Sequence, residues 1–215
     1  MSLENQKTLD AYQKKAFKYL ENNKKLDINE VEKANEELHK FIKENLNNIK
    51  GKILEIGSAD GEIAKYIKEL GYDITPSDIA DDFIKELKQK NLNPIKLNIL
   101  EDKIQDKYKA ILCWKVFVHF TDEDVLKALN NTYNSLEKNG ILIFNVISRE
   151  TRTVKEEWID FKGDYSLGID RYFRYYYKEE LDKIINKTKY KIFSFHEEIG
   201  IEKAKWLVYV LIKGE

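Results

Sequence analysis

Over the first fifty positions apolar residues recur at three- and four-residue steps; beyond them the rhythm becomes that of buried strands alternating with helices. Leu9, Tyr12, Ala16, Tyr19 and Leu20 share one face of a first helix, and Ile28, Val31, Leu38, Phe41, Ile42, Leu46 and Ile49 mark a second. Asp27 with Glu30 reads as a capping box for that second helix. No proline- or serine-rich linker follows, so both helices are expected to pack on the rest of the chain. From Gly51, strand patterns at 52–57, 72–78, 94–99, 108–114 and 140–147 alternate with helical patterns at 62–70 and 81–90. Thr121 and Asp124 form a capping box ahead of Val125, Leu126 and Leu129 on a further helix. Pro76 removes a ladder hydrogen bond from the second strand, which predicts a bulge or an early end there. The 140–147 run is nearly all apolar, as in a parallel strand buried on both faces. The whole rhythm predicts an α/β fold: an open parallel sheet with helices on both sides.

That rhythm breaks at 148–177, a segment crowded with Trp158, Phe161, Tyr165, Tyr172, Phe173, Tyr175, Tyr176 and Tyr177. A helical pattern at 179–188 and two long strand patterns at 191–198 and 205–213, with a turn near Gly200, follow it. The length of 215 residues predicts a single domain, and 42% hydrophobic residues suffice for its core.

Charge changes the picture in two ways. A formal net charge of −1, with acids and bases interspersed, gives no electrostatic footprint for nucleic acid. The cations are mostly lysine, yet the four arginines, Arg149, Arg152, Arg171 and Arg174, all fall in one short segment. Lysine replaces arginine freely on a surface, but not where a planar, bidentate donor is needed. The single cysteine, Cys113, cannot form an internal disulfide, and the polar N-terminus is unlike a signal peptide, so a cytoplasmic location is expected. The longest apolar run, 110–120, is interrupted by Lys115 and is too short to span a bilayer. Three histidines and one cysteine show no metal-ligand spacing, so no metal is expected. Oligomeric state is not set by the sequence.

The most informative chemistry lies at 53–61. Nine glycines are present in all, and four of them lie between Gly51 and Gly71. A strand (Ile53, Leu54, Ile56) runs into a glycine-spaced turn and then a helix pattern (Ile63, Ile67, Leu70), the geometry that brings backbone N–H groups close to a ligand. Asp60 is placed to cap that helix. The dinucleotide fingerprint Gly-x-Gly-x-x-Gly does not fit, because its third glycine would be Glu62.

Glu55-x-Gly57-x-Ala59-x-Gly61 resembles the acid-x-Gly-x-Gly-x-Gly cofactor motif of class I S-adenosylmethionine-dependent methyltransferases, with alanine at the middle glycine. The resemblance covers nearly the whole chain. It implies a Rossmann-like, seven-stranded, mostly parallel sheet with an antiparallel C-terminal strand and an N-terminal helical cap. It implies S-adenosylmethionine as cofactor and S-adenosylhomocysteine as product. The chain would divide into a helical cap (1–50), a cofactor-binding core (51–147), a substrate-recognition insert (148–177) and a C-terminal helix and β-hairpin (178–215).

By the same resemblance Glu55, Gly57, Ser58, Ala59, Asp60 and Gly61 would bind the cofactor. Asp78, beside Ile79, holds the position of the ribose-binding acid, since a carboxylate can accept two bonds from a diol; the alternative is that it caps the next helix. Asn98 and Ile99 would lie at the adenine, Cys113 and Trp114 at the methionine end, and Lys115 would point to the substrate. Tyr12 and Tyr19 resemble a tyrosine pair that covers the cofactor, or else pack in the core. His119 is the candidate general base, or a ring packed at a helix start and bonded to backbone. Arg171, Arg174 and Tyr175 in the insert would contact substrate, with an anionic group as candidate; the alternative is pairing with Glu150, Glu156, Glu157, Asp160, Asp164 or Asp170. No Asn/Asp-Pro-Pro-aromatic motif follows the fourth strand, which argues against methylation of nucleobase amino groups. The expected acceptor is a small molecule. Alternatives are a protein or RNA methyltransferase and a non-catalytic S-adenosylmethionine-binding protein. A nicotinamide-dependent oxidoreductase is disfavoured by Glu62 and the C-terminal hairpin.

Overall fold

The structure, a computed structural model, describes residues 1–25, 28–162, 166–200 and 204–214, and the side chains of all of these except 28–34. Asp27, Asp164 and Tyr165 lie outside the described residues, as does the Glu30 side chain, and the Asp27–Glu30 capping box falls there with them. The chain runs α1 (Leu3–Asn23), α2 (Ile28–Leu46), β1 (Ile53–Ile56), α3 (Glu62–Glu69), β2 (Ile74–Asp78), α4 (Asp81–Gln89), β3 (Ile95–Lys96) and β4 (Tyr108–Cys113). It continues through α5 (Asp122–Ser135), β5 (Leu136–Ser148), β6 (Glu156–Ile159), β7 (Arg171–Tyr176), α6 (Lys178–Ile185), β8 (Tyr190–Ile199) and β9 (Lys205–Lys213).

Five parallel strands lie in the order β3-β2-β1-β4-β5. β9 adds antiparallel to β5, and β8 antiparallel to β9. Alternate residues of the central strands build two cores, as the pleat requires. Leu54, Ile111, Leu142 and Phe144 meet Val125 and Leu129 of α5 and Leu181 and Ile185 of α6. Ile53, Ala110, Leu112 and Ile143 meet Ile42 and Leu46 of α2 and Ile67 of α3. The two N-terminal helices therefore part company: α2 belongs to a sheet face, while Ala16 and Leu20 of α1 pack on Ala80 and Phe83 beside α4.

Among the described residues the sheet has nine strands rather than seven, and both extra ones come from the insert. β6 and β7 form an antiparallel hairpin, and β7 pairs in parallel with the end of β5 through Ile147–Tyr175 and Ser148–Tyr176. β4 stops at Cys113, opposite Phe144, and Ile147 pairs with Trp206 of β9 on its other side. The hairpin thus occupies the edge of β5 that β4 leaves open.

Three local expectations are corrected. Strand β2 runs through Pro76 in unbroken register with β1. The carbonyls of Asp73 and Ser77 face β1, so by alternation the proline nitrogen faces β3, which begins pairing only at Ser77; no ladder bond is lost there. Asp60 does not cap α3, whose N-cap is Gly61; its carboxylate accepts from Asn23 Nδ2 of α1 at 3.0 Å. Thr121 does cap α5, but the Asp124 carboxylate turns to Ser2, accepting from its N–H at 3.1 Å and its hydroxyl at 2.5 Å.

Candidate active site

The carboxyl ends of β1, β2 and β4 converge on the glycine turn. Gly57, Ala59 and Gly61 all take positive φ, at 73°, 45° and 81°. A Cβ on Gly57 would lie 2.5 Å from Val116 Cγ2, and one on Gly61 the same distance from Leu87 Cδ2. The turn is drawn tight by Gly61 N–H to the Ser58 carbonyl (2.7 Å) and Ala59 N–H to Asp78 Oδ2 (3.0 Å). Ala59 is the L-residue forced into the left-handed region, at about 1–2 kcal/mol. Ala59→Gly removes that strain but adds about 0.4–1 kcal/mol of unfolded-chain entropy. The expected net gain is about 0.5 kcal/mol, read as a rise of about 1–2 °C in thermal unfolding.

Glu55 is buried beneath the turn; its Oε2 has no hydrogen-bond partner among the described residues, and burial pushes its pKa up to about 8. Asp78 accepts three backbone bonds, from Ile79 (2.7 Å), Ala80 (3.1 Å) and Ala59. It therefore holds the turn that leads into α4, whose N-cap is Ala80 without a side-chain cap bond, and pins the glycine turn; one of roughly four carboxylate lone-pair positions remains for a ligand. Burial raises its pKa against those three bonds. Asn98 spends its carbonyl on Leu100 N–H (3.0 Å) and points Nδ2 at Met1 Sδ, while the Ile99 carbonyl accepts from Asn131.

Helix α1 crosses this site, attached by short polar side chains. Thr8 Oγ1 accepts from Tyr172 N–H (3.0 Å), Asn22 donates to the Ser166 carbonyl (2.8 Å), and Asn5 is buried against the His119 carbonyl. At its centre Tyr12 joins α1 to the insert. His119 Nδ1 lies 2.8 Å from the Tyr172 carbonyl, which can only accept, so Nδ1 carries the proton. Nε2 then accepts from the Tyr12 hydroxyl at 2.9 Å, and that hydroxyl accepts from Arg171 Nη1 at 3.2 Å. Burial, aided by the Arg171 charge, pushes the His119 pKa down to about 4. The ring is neutral with both nitrogens engaged, Nδ1 on backbone and Nε2 on Tyr12; protonating it would break the Tyr12 bond beside a guanidinium. Tyr19 stacks edge-on with Tyr12 and Phe83, and burial raises the pKa of both tyrosines.

The remaining candidates separate. Cys113 is wholly buried and its thiol pKa is raised by burial. Trp114 is half-buried, its ring 6.0 Å from Phe41. Lys115 is exposed, with φ +59° and its N–H donated to Asn145 Oδ1 at 2.6 Å. Arg174 is 1% exposed; its Nε lies 3.0 Å from Asp122 Oδ1, Nη2 3.6 Å from Glu180, Nη1 donates to the Tyr175 carbonyl, and the guanidinium lies over Tyr176. Tyr175 donates to Glu157 at 2.6 Å under Arg152. Arg174 is ion-paired, but its nearer acids, Asp122 and Glu180, are not among those named for it; of that set only Glu156 comes within range, at 3.9 Å. Arg171 alone of the two faces α1, among Tyr12, Phe161 and Phe173 and 3.8 Å from Asp160. Asn145 and Thr8 escaped the sequence reading, although Asn145 is the lone polar residue in an apolar run. No cluster of potential metal ligands occurs among the described residues, and none of their helices is long and apolar enough to cross a membrane.

A family profile described as a methyltransferase domain matches residues 29–193. Sequence comparison finds no match among curated proteins. Among solved structures, an S-adenosylmethionine-dependent methyltransferase from Clostridium acetobutylicum superposes with a TM-score of 0.64 at 14% identity, covering 82% of this chain and 91% of that one. One from Methanosarcina mazei gives 0.69 at 13% identity, over 78% and 95%. The glycopeptide N-methyltransferase MtfA in complex with S-adenosylhomocysteine gives 0.67 at 8% identity, over 81% and 88%.

Proposed function

This chain belongs to the methyltransferase-domain family, as an S-adenosylmethionine-dependent enzyme, and we propose that its acceptor is a small molecule. The observation that carries this reading is the enclosure of the site. Helix α1 and the β6–β7 hairpin meet over it through Tyr12–Arg171 and Thr8–Tyr172, a cover that favours a small acceptor over a protein or RNA strand. Arg171 serves here as the clamp between lid and insert.

The residues present fit the cofactor. Glu55 offers an unsatisfied buried carboxylate oxygen to an ammonium group, and Gly57 and Gly61 let the turn pack tightly on Val116 and Leu87 so that its backbone stays at the strand ends. When bound, the cofactor supplies an electrophilic sulfonium methyl whose leaving sulfur needs no acid. The protein's part is alignment and the exclusion of water. Asp78 fixes the turn and offers its remaining acceptor position, and Tyr12 and Tyr19 cover the site.

S-adenosylhomocysteine at a hundred times its Kd should stabilise the protein by about 2.7 kcal/mol, while NAD leaves the melting curve in place. A shift with NAD and none with S-adenosylhomocysteine would overturn the reading. Ionising Glu55 on binding releases a proton, so affinity should rise with pH through the neutral range and level off above about 8. Glu55→Gln should weaken binding at least tenfold, since a hydrogen bond to a charged group contributes about 1.5–3 kcal/mol, and should flatten that pH dependence. Calorimetry at pH 6 and pH 8.5 checks both.

A further inference from the structure

We propose that Lys115 is the catalytic base, the group that takes the acceptor's proton as the methyl group is transferred. The inference rests on the methyltransferase reading above. Four observations place this amine. Lys115 directly precedes Val116, whose Cγ2 closes on Gly57, so it lies against the turn that meets the cofactor. Its backbone is held at φ +59°, unusual for a long side chain, and the buried Asn145 side chain pins it there through a 2.6 Å bond from Lys115 N–H. That backbone geometry carries Nζ to 5.6 Å from the centre of the Trp206 ring on β9. The side chain stays exposed between a buried Cys113 and a half-buried Trp114, yet protein surrounds it closely enough to lower its pKa by desolvation. Accessibility with dense surroundings is the condition of a residue on a cleft floor. The charged groups that face it are Asp60 on the glycine turn and Glu198 on β8, and both act against the lowering.

Electrostatics then select the form of the amine. A sulfonium bound at the turn repels a second cation nearby and favours neutral Nζ, the form that can accept a proton. The acceptor's lone pair forms the bond to the methyl carbon, the carbon–sulfur pair returns to sulfur, and the acceptor's proton passes to the free pair of Nζ. The resulting ammonium would no longer be opposed by a sulfonium charge, and it returns the proton to water. His119 cannot do this work, because its Nε2 is taken by Tyr12 and Arg171 stands beside it.

Competitive acetylation with acetic anhydride across pH, read for each lysine by mass spectrometry, tests the assignment in the ligand-free protein, with S-adenosylhomocysteine and with the charged analogue sinefungin. The labelling midpoint depends on the amine and not on its accessibility. Lys115 should titrate below exposed Lys14 and Lys43 in the same sample, and should label several-fold faster than they do near pH 8 relative to its own plateau. Sinefungin should move its midpoint lower, and S-adenosylhomocysteine should move it less. Asn145→Ala should return it towards the exposed lysines. A midpoint equal to theirs, or one that ignores sinefungin when a thermal shift shows it bound, overturns the base. Failure of both ligands to shift the melting curve is a separate result, which overturns the methyltransferase reading and the base with it.

Discussion

Gly57→Ala is expected to destabilise the protein by about 3 kcal/mol and to abolish measurable S-adenosylhomocysteine binding. Two costs add. A Cβ at φ +73° meets its own backbone, at about 1–2 kcal/mol. The same atom would sit 2.5 Å from Val116 Cγ2, and Val116 is β-branched with little freedom to turn away; overpacking of this kind costs about 1–3 kcal/mol. Relief requires the segment after β4 to back off, which displaces Lys115 and the turn together. Gly71→Ala is the matched control. It has φ +87° and nothing within 4 Å of its Cβ, so it carries the backbone cost alone, about 1 kcal/mol, and should bind ligand normally. Chemical denaturation with ligand titration on both variants separates the terms. Equal losses of stability in the two would show that the Val116 contact yields freely.

The second large effect is expected at Arg174. Arg174→Met should lower stability by about 2–3 kcal/mol, a fall of about 5–10 °C in melting temperature for a chain of this size. The estimate sits below that for a fully buried pair, because Asp122 and Glu180 keep about a third of their side chains in solvent (39% and 34%). Arg174→Lys should lose at least half as much, since an ammonium cannot serve Asp122, Glu180 and the Tyr175 carbonyl from one plane while lying on Tyr176. Cofactor affinity should hold in both. A wild-type melting temperature for Arg174→Met would sink the structural role and return the residue to substrate recognition.

The sheet, its helices and the glycine turn were legible because their signals are local: apolar period, glycine spacing, a capping threonine. Ala59 could be recognised as a substitution in the motif, but its positive φ depends on Asp78 holding its N–H from another strand. The clustering of the arginines signals a need for planar donors. What they needed it for was not written nearby, because Asp122 lies fifty-two residues from Arg174 and Tyr12 lies 159 from Arg171. The partners of His119, Tyr12 and Tyr172, are likewise remote in sequence. The insert hid a hairpin because Arg171–Tyr176 is buried at every position and shows no alternation; a strand that fills a gap between a sheet and a lid has no polar face to announce it.

The placement of that hairpin limits how the specificity of this protein can be re-engineered. Beyond Cys113 the β4-side edge of β5 would lie open, a template for pairing with another chain. β7 seals it at Ile147 and Ser148 while presenting Arg171 to the lid. A grafted recognition loop taken from another enzyme must therefore bring its own edge strand, or the chimera trades a new acceptor for a sticky sheet.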